Sequence, residues 1–98
     1  MSTIRIEQRK LEFAKKQTVS LHEDSDILAV KVHDNDPYIY ALVESDNDVN
    51  VLKYDVYFFE VGTHIDPEVA SSMDYIDTIE DYRGIVFHVF GCWNNAEN

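Results

Sequence analysis

The sequence predicts an all-β protein, a small antiparallel sandwich or barrel of about seven strands. Short runs rich in β-branched and aromatic residues recur along the 98-residue chain. Clusters of Asp, Asn, Ser, Gly and Pro separate them as turns. No segment repeats apolar residues at helical spacing for long enough to make a helix of ordinary length. The strongest strand signal is Gly84-Ile-Val-Phe-His-Val-Phe90, which is apolar on both faces except at His88 and therefore expected to be covered on both sides.

Taken in order, Ile4 to Phe13 reads as a strand whose apolar parity switches: Ile4 and Ile6 share one face, Leu11 and Phe13 the other. A bulge near Gln8–Lys10 would shift the phase, with a short helix as the alternative. Gln17–Leu21 is a strand with Val19 and Leu21 inward and Thr18 and Ser20 outward, and His22–Asp26 is a polar turn. Ile27–His33 follows with Leu28, Val30 and Val32 as its core face, while Lys31 and His33 face water. The turn Asp34-Asn-Asp-Pro37 joins it to Tyr38–Glu44 as a hairpin. Asn50–Val61 is a strand with large aromatics on both faces. Gly62–Met73 is a loop, with one helical turn after Asp66-Pro67, where Asp caps and Pro opens the helix. Tyr75–Glu80 and Gly84–Phe90 form the last hairpin. The expected core holds Val30, Val32, Leu42, Ile85, Phe87 and Val89. One domain over residues 1–93 is expected, with residues 94–98 as a disordered tail.

The composition excludes several classes. A 45% hydrophobic content with one Trp, six Tyr and five Phe is globular. Apolar runs are too short for a transmembrane helix, and the N-terminus lacks the apolar stretch of a secretory signal. The single cysteine, Cys92, cannot form an internal disulfide, so a cytoplasmic protein is expected. Charge is the most unusual bulk feature. The net value is −11, yet residues 1–16 hold five basic and two acidic residues, and the rest of the chain holds three basic and seventeen acidic. An acidic body repels phosphate backbones and disfavours nucleic acid. It reads either as a solvated, solubilising surface or as a face that docks on a basic protein.

The order of motifs resembles a family of small proteins, encoded mainly by bacteriophages and prophages, that is known only as a domain of unknown function. The residues that carry the resemblance are Gln17-Thr18, then Ile27-Leu28 with Val30 and Val32, then Tyr40-Ala41-Leu42-Val43. Gly62-Thr63-His64, Tyr75-Ile76-Asp77-Thr78 and Val86-Phe87-His88-Val89-Phe90 follow. It spans roughly residues 10–90. Two departures stand out: the second glycine of the Gly-Thr-Gly-His turn is missing, and Asp77 replaces the glycine of Tyr-Ile-Gly-Thr. The resemblance implies a phage origin and an all-β fold, and it transfers no activity.

No catalytic or metal constellation stands out. His22, His33, His64 and His88 lie beside carboxylates without the close-spaced pairs of a closed metal site. Cys92 has no histidine at a suggestive spacing, and three glycines make no phosphate-cradling loop. The expectation is a non-enzyme without a cofactor: an accessory protein that binds and inhibits a host protein with a basic surface. The acidic candidates for that contact are Asp34, Asp36, Asp46, Asp48, Asp74, Asp77, Glu80 and Asp81. The alternative is an oligomeric binder that sequesters a nucleotide-type signal, with His64, His88, Tyr54 and Tyr57 as pocket candidates. Strands apolar on both faces, at Tyr54–Val61 and Ile85–Phe90, exceed what one small core can cover, so a homodimer is expected.

Overall fold

The structure, a computed structural model, describes residues 4–23, 25–44 and 51–94. The chain runs β1 (Ile4–Lys10), β2 (Lys16–His22), β3 (Ser25–His33), β4 (Asp36–Glu44), β5 (Val51–Glu60), a five-residue helix α1 (Pro67–Ser71), β6 (Asp74–Glu80) and β7 (Val86–Asn94). The strands form two antiparallel sheets, ordered β1-β4-β3 and β2-β5-β7-β6, which pack as a sandwich. The all-β expectation holds. The acidic candidates Asp46 and Asp48 lie outside the described residues.

The core fills the space between the sheets. Val30, Ile39, Val56 and Val89 are fully buried, and Leu11, Leu21, Phe58 and Ile79 close around them. Side chains of this kind contribute about 1.5–3 kcal/mol each when removed from water. Phe13, Phe58 and Phe87 form an aromatic cluster, with Phe13 5.8 Å from Phe58 and 5.7 Å from Phe87.

Local chemistry explains most of the turns. Asp34 and Asn35 both take positive φ, 53° and 70°, as the two central residues of a tight hairpin. That turn pairs His33 with Asp36 and sets the β3–β4 register. Asp66 caps α1 by accepting from the Glu68 N–H at 2.9 Å, and Pro67 opens the helix.

Four expectations need correction. The parity switch after Ile6 is not a bulge inside a long strand: β1 stops at Lys10, and Leu11 and Phe13 pack inward as the chain crosses to the other sheet. Leu28 is 47% exposed, because a bulge between Ile27 and Ala29 pushes it out of phase and leaves Ile27 on the core side. Leu42 faces outward with Tyr38 and Tyr40, since the hairpin register turns Ile39, Ala41 and Val43 inward. Ile85 precedes β7 and is only half-buried. β7 begins at Val86 and continues through Trp93 to Asn94.

Candidate functional site

The sandwich has two open sides. β1 and β2 border one, β3 and β6 the other. At the second side the strands meet through Asp77. Its Oδ2 accepts from the Val30 N–H at 3.3 Å and pairs with Lys31 Nζ at 3.2 Å, while Oδ1 accepts from the Thr78 N–H at 2.9 Å. A register shift between Tyr75 and Asp77 brings this carboxylate round to the neighbouring sheet. A glycine here would leave the edge amide of Val30 without that acceptor. Asp77 is therefore a clasp between sheets more than an element of a docking face.

Other carboxylates on this side have no such duty. Asp26, Asp74 and Glu80 are exposed on β3 and β6. Away from them, Asp34 is exposed at the β3–β4 turn, and Asp36 pairs loosely with Lys10 of β1 at 3.5 Å. Asp81 is different again. Its side chain is almost fully buried and accepts from the Arg83 side chain at 3.1 and 2.8 Å and from the backbone N–H groups of Arg83 and Ile85 at 2.9 and 3.0 Å. Burial works against its ionisation, but the Arg83 guanidinium and the two N–H groups outweigh burial and hold the carboxyl below its ordinary range. Asp81 ties the β6–β7 turn together.

The β1/β2 side carries the positive charge. Arg5, Arg9, Lys10 and Lys16 lie on the two strands, with Lys15 just before β2. Glu7 sits among them. It binds Arg5 Nη2 at 2.7 Å, Arg9 Nη2 at 3.0 Å and His22 Nδ1 at 3.2 Å. Burial opposes its charge, yet Arg5, His22 and Arg9 together keep its pKa below the ordinary carboxylate range.

Two concavities flank these sides. A cavity of about 310 Å³ opens between the first residues of β3 and β6, lined by Ser25, Asp26, Tyr54, Asp74, Tyr75 and Trp93 among others. Tyr54 faces inward there, its ring against Trp93 at 4.9 Å and across Gly91, where any Cβ would collide with it. Burial, with the charges of Asp74 and Cys92 behind it, pushes the Tyr54 phenol well up. A groove of about 410 Å³ runs along the β2–β5 side, lined by Phe13, Lys15, Lys16, Tyr57, Phe59 and Phe87 among others. Lys16 Nζ lies 5.6 Å from the centre of the Tyr57 ring.

Tyr57 continues into an aromatic row on the outer face of the four-stranded sheet. It stacks on Phe59 at 6.0 Å, Phe59 meets Phe90 at 5.8 Å, and Phe90 meets Tyr75 at 5.6 Å. His88 shares that face, its Nδ1 2.9 Å from Thr78 Oγ1, which in turn lies 2.5 Å from the Tyr75 hydroxyl. His64 is exposed in the loop before α1. The four pocket candidates therefore do not converge: Tyr54 points inward, Tyr57 and His88 outward, and His64 stands apart. Burial and the carboxylates Asp55 and Asp74 push the Cys92 thiol up, with Lys16 in partial opposition.

The model of a family described as a domain of unknown function (DUF7352) matches residues 2–98. The chain belongs to this family. The match takes in both charged sides of the sandwich. No curated protein and no solved structure matches the chain. The family's description assigns no activity, so a functional reading of this member rests on the arrangement of charge and cavities. Among the described residues, no helix is long and apolar enough to cross a membrane. Sequence reasoning missed Ser25 and Asp26 and ended the last strand short of Trp93. The first two sat in a stretch that reads as a turn, and Trp93 lay beyond the strand's expected end.

Proposed function

We propose that this member of the family is a non-enzymatic bacteriophage accessory protein of the host cytoplasm. In this reading it docks on, and inhibits, a host defence or takeover component that presents a basic surface. One observation carries the reading: the exposed carboxylates Asp26, Asp74 and Glu80 lie on the edge strands β3 and β6, while the arginines and lysines of β1 and β2 lie at the other side. A field with two poles steers and orients a charged partner better than the same charge spread evenly. The raised pKa of Cys92 also argues against an activated thiolate nucleophile. Phage origin is supported by the motif resemblance. The test is capture from a bacterial host lysate with the wild-type chain and with the Asp26→Asn/Asp74→Asn/Glu80→Gln variant. A partner held by the first, lost by the second and released by salt supports the reading. A partner held equally by both counts against it.

The groove favours a second reading, an oligomeric binder of a nucleotide-type signal. Phe13, Tyr57 and Phe59 offer ring faces, and Lys15 and Lys16 offer charge to phosphate. Calorimetric titration with ADP, repeated on Lys16→Glu, tests it. The row Tyr57, Phe59, Phe90 and Tyr75 is the surface on which two copies would pair. A strict monomer by sedimentation at high micromolar concentration would contradict a dimer.

A further inference from the structure

The groove on the β2–β5 side opens because two paired strands differ in length. β2 begins at Lys16, opposite Tyr57, while β5 runs on to Glu60. The chain before β2 has already turned to the other sheet, where the Leu11 N–H donates to the Pro37 carbonyl. The end of β5 is therefore left without a strand beside it. Lys15, Phe58, Glu60 and Phe87, all lining the groove, share one face at this end. The Phe58 N–H donates to the Lys15 carbonyl at 3.0 Å, which sets Lys15 across from Phe58, and Glu60 lies across from Phe87. Residues opposed on antiparallel strands point the same way. Phe13 packs its ring on Phe58 and Phe87 and closes the floor.

The two rims of this floor carry opposite, unpaired charge. Arg5, Arg9, Lys10, Lys31 and Arg83 each pair with a carboxylate. Lys15 and Lys16 have no such partner among the described residues, although the net charge is −11. Glu60 has no ion pair there either, and Arg83, which feels its charge, is held by Asp81 at 2.8 Å.

These rims select a ligand. Two ammonium groups match the charge of about −2 on a phosphate monoester. The aromatic floor stacks a planar ring. A carboxylate only accepts hydrogen bonds, so Glu60 favours a base with an exocyclic amine over one with a carbonyl there. Lys15 and Glu60 are offset by two residues along the strands, roughly 7 Å, which places a ring between their flexible side chains. A volume of about 410 Å³ is in the lower part of the range for ligand sites and suits one base with one phosphate.

We infer that the groove binds a nucleoside monophosphate whose base carries an exocyclic amine, with Lys15 and Lys16 on the phosphate and Glu60 on the amine. The inference rests on the nucleotide reading of the groove and adds which groups of the ligand are read.

Calorimetric titration of the full chain with AMP, IMP and adenosine tests it. IMP has a carbonyl where AMP has the amine, and adenosine lacks the phosphate. The expected result is that IMP and adenosine each bind about tenfold more weakly than AMP, the scale of a lost hydrogen bond to a charged group. Lys15→Gln should weaken AMP about tenfold and leave adenosine unchanged. Glu60→Gln, whose amide also donates, should narrow or reverse the preference for AMP over IMP. Circular dichroism checks that each variant folds. Equal affinity for AMP and IMP, a preference that survives Glu60→Gln, or adenosine binding as tightly as AMP overturns the inference. ADP binding without AMP binding also overturns it and leaves the nucleotide reading standing. If none of these compounds binds, the nucleotide reading falls and the inference falls with it.

Discussion

Glu7 at the β1/β2 side and Asp77 at the β3/β6 side are both half-buried carboxylates near strand edges, and their surroundings differ. Glu7 has two guanidiniums and an imidazole, so that side neutralises its acid and keeps a surplus of positive charge. Asp77 has one lysine and spends its remaining capacity on the amides of Val30 and Thr78. Its neighbours Asp26, Asp74 and Glu80 are left to water. Ion pairing thus cancels the acid on one side, while on the other the exposed carboxylates around the Asp77–Lys31 clasp stay uncancelled. The net charge of −11 has a direction in space, which the total alone conceals.

Substitutions on the two sides should separate these roles. A baseline comes from the core between them: Phe87→Ala should cost about 3–4 kcal/mol, read by urea denaturation, because it removes a ring packed on Phe13 and Phe58. Asp77→Ala should cost about 2 kcal/mol, since the Val30 N–H loses its acceptor and the clasp between sheets opens. Glu7→Ala should cost about 1 kcal/mol, the scale of exposed or partly exposed ion pairs, and should shrink further in salt. If Glu7→Ala proves the more damaging of the two, the contrast drawn here is wrong. Asp34→Asn should change stability by less than about 0.5 kcal/mol while slowing association with a basic partner more than it speeds dissociation.

Acid sharpens the same contrast. Asp81 and Glu7 both have folded-state pKa values below their unfolded ones. Their contribution is complete above the ordinary carboxylate range of about 4 and is lost as pH falls through the folded values. Asp81→Asn and Glu7→Gln should each flatten the fall in stability between about pH 5 and 3, measured by circular dichroism during acid titration. Unchanged slopes would mean that neither carboxyl is held ionised by its neighbours.

Much of the fold was legible because strand alternation and turn chemistry are local. Val19 and Leu21 point inward as their parity requires, and Asp66-Pro67 starts a helix as its residues require. Leu28 and Leu42 were misread for a common reason. A bulge or a hairpin register shifts the phase of a whole strand, and neither leaves a mark in a five-residue pattern. The acidic residues were visible as a list, and their sorting was not. Whether a carboxylate becomes a clasp like Asp77, a turn knot like Asp81 or a free surface charge like Glu80 depends on which strands end up at sheet edges. That outcome comes from long-range pairing. Ser25 was hidden for the same reason, because its burial needs β6 and β7 beside β3.

The most direct measurement is the association rate of the chain with its captured basic partner at about 50 and 500 mM salt. It should compare the wild type, Asp74→Asn/Glu80→Gln, and Arg9→Gln/Lys10→Gln. The expected result is a steep salt-dependent loss for the wild type, a slower and flatter response for the acidic-side variant, and an undiminished rate for the basic-side variant. An association rate that falls when the β1/β2 charges are removed, and ignores Asp74 and Glu80, would place the contact on the other side of the molecule and contradict the account.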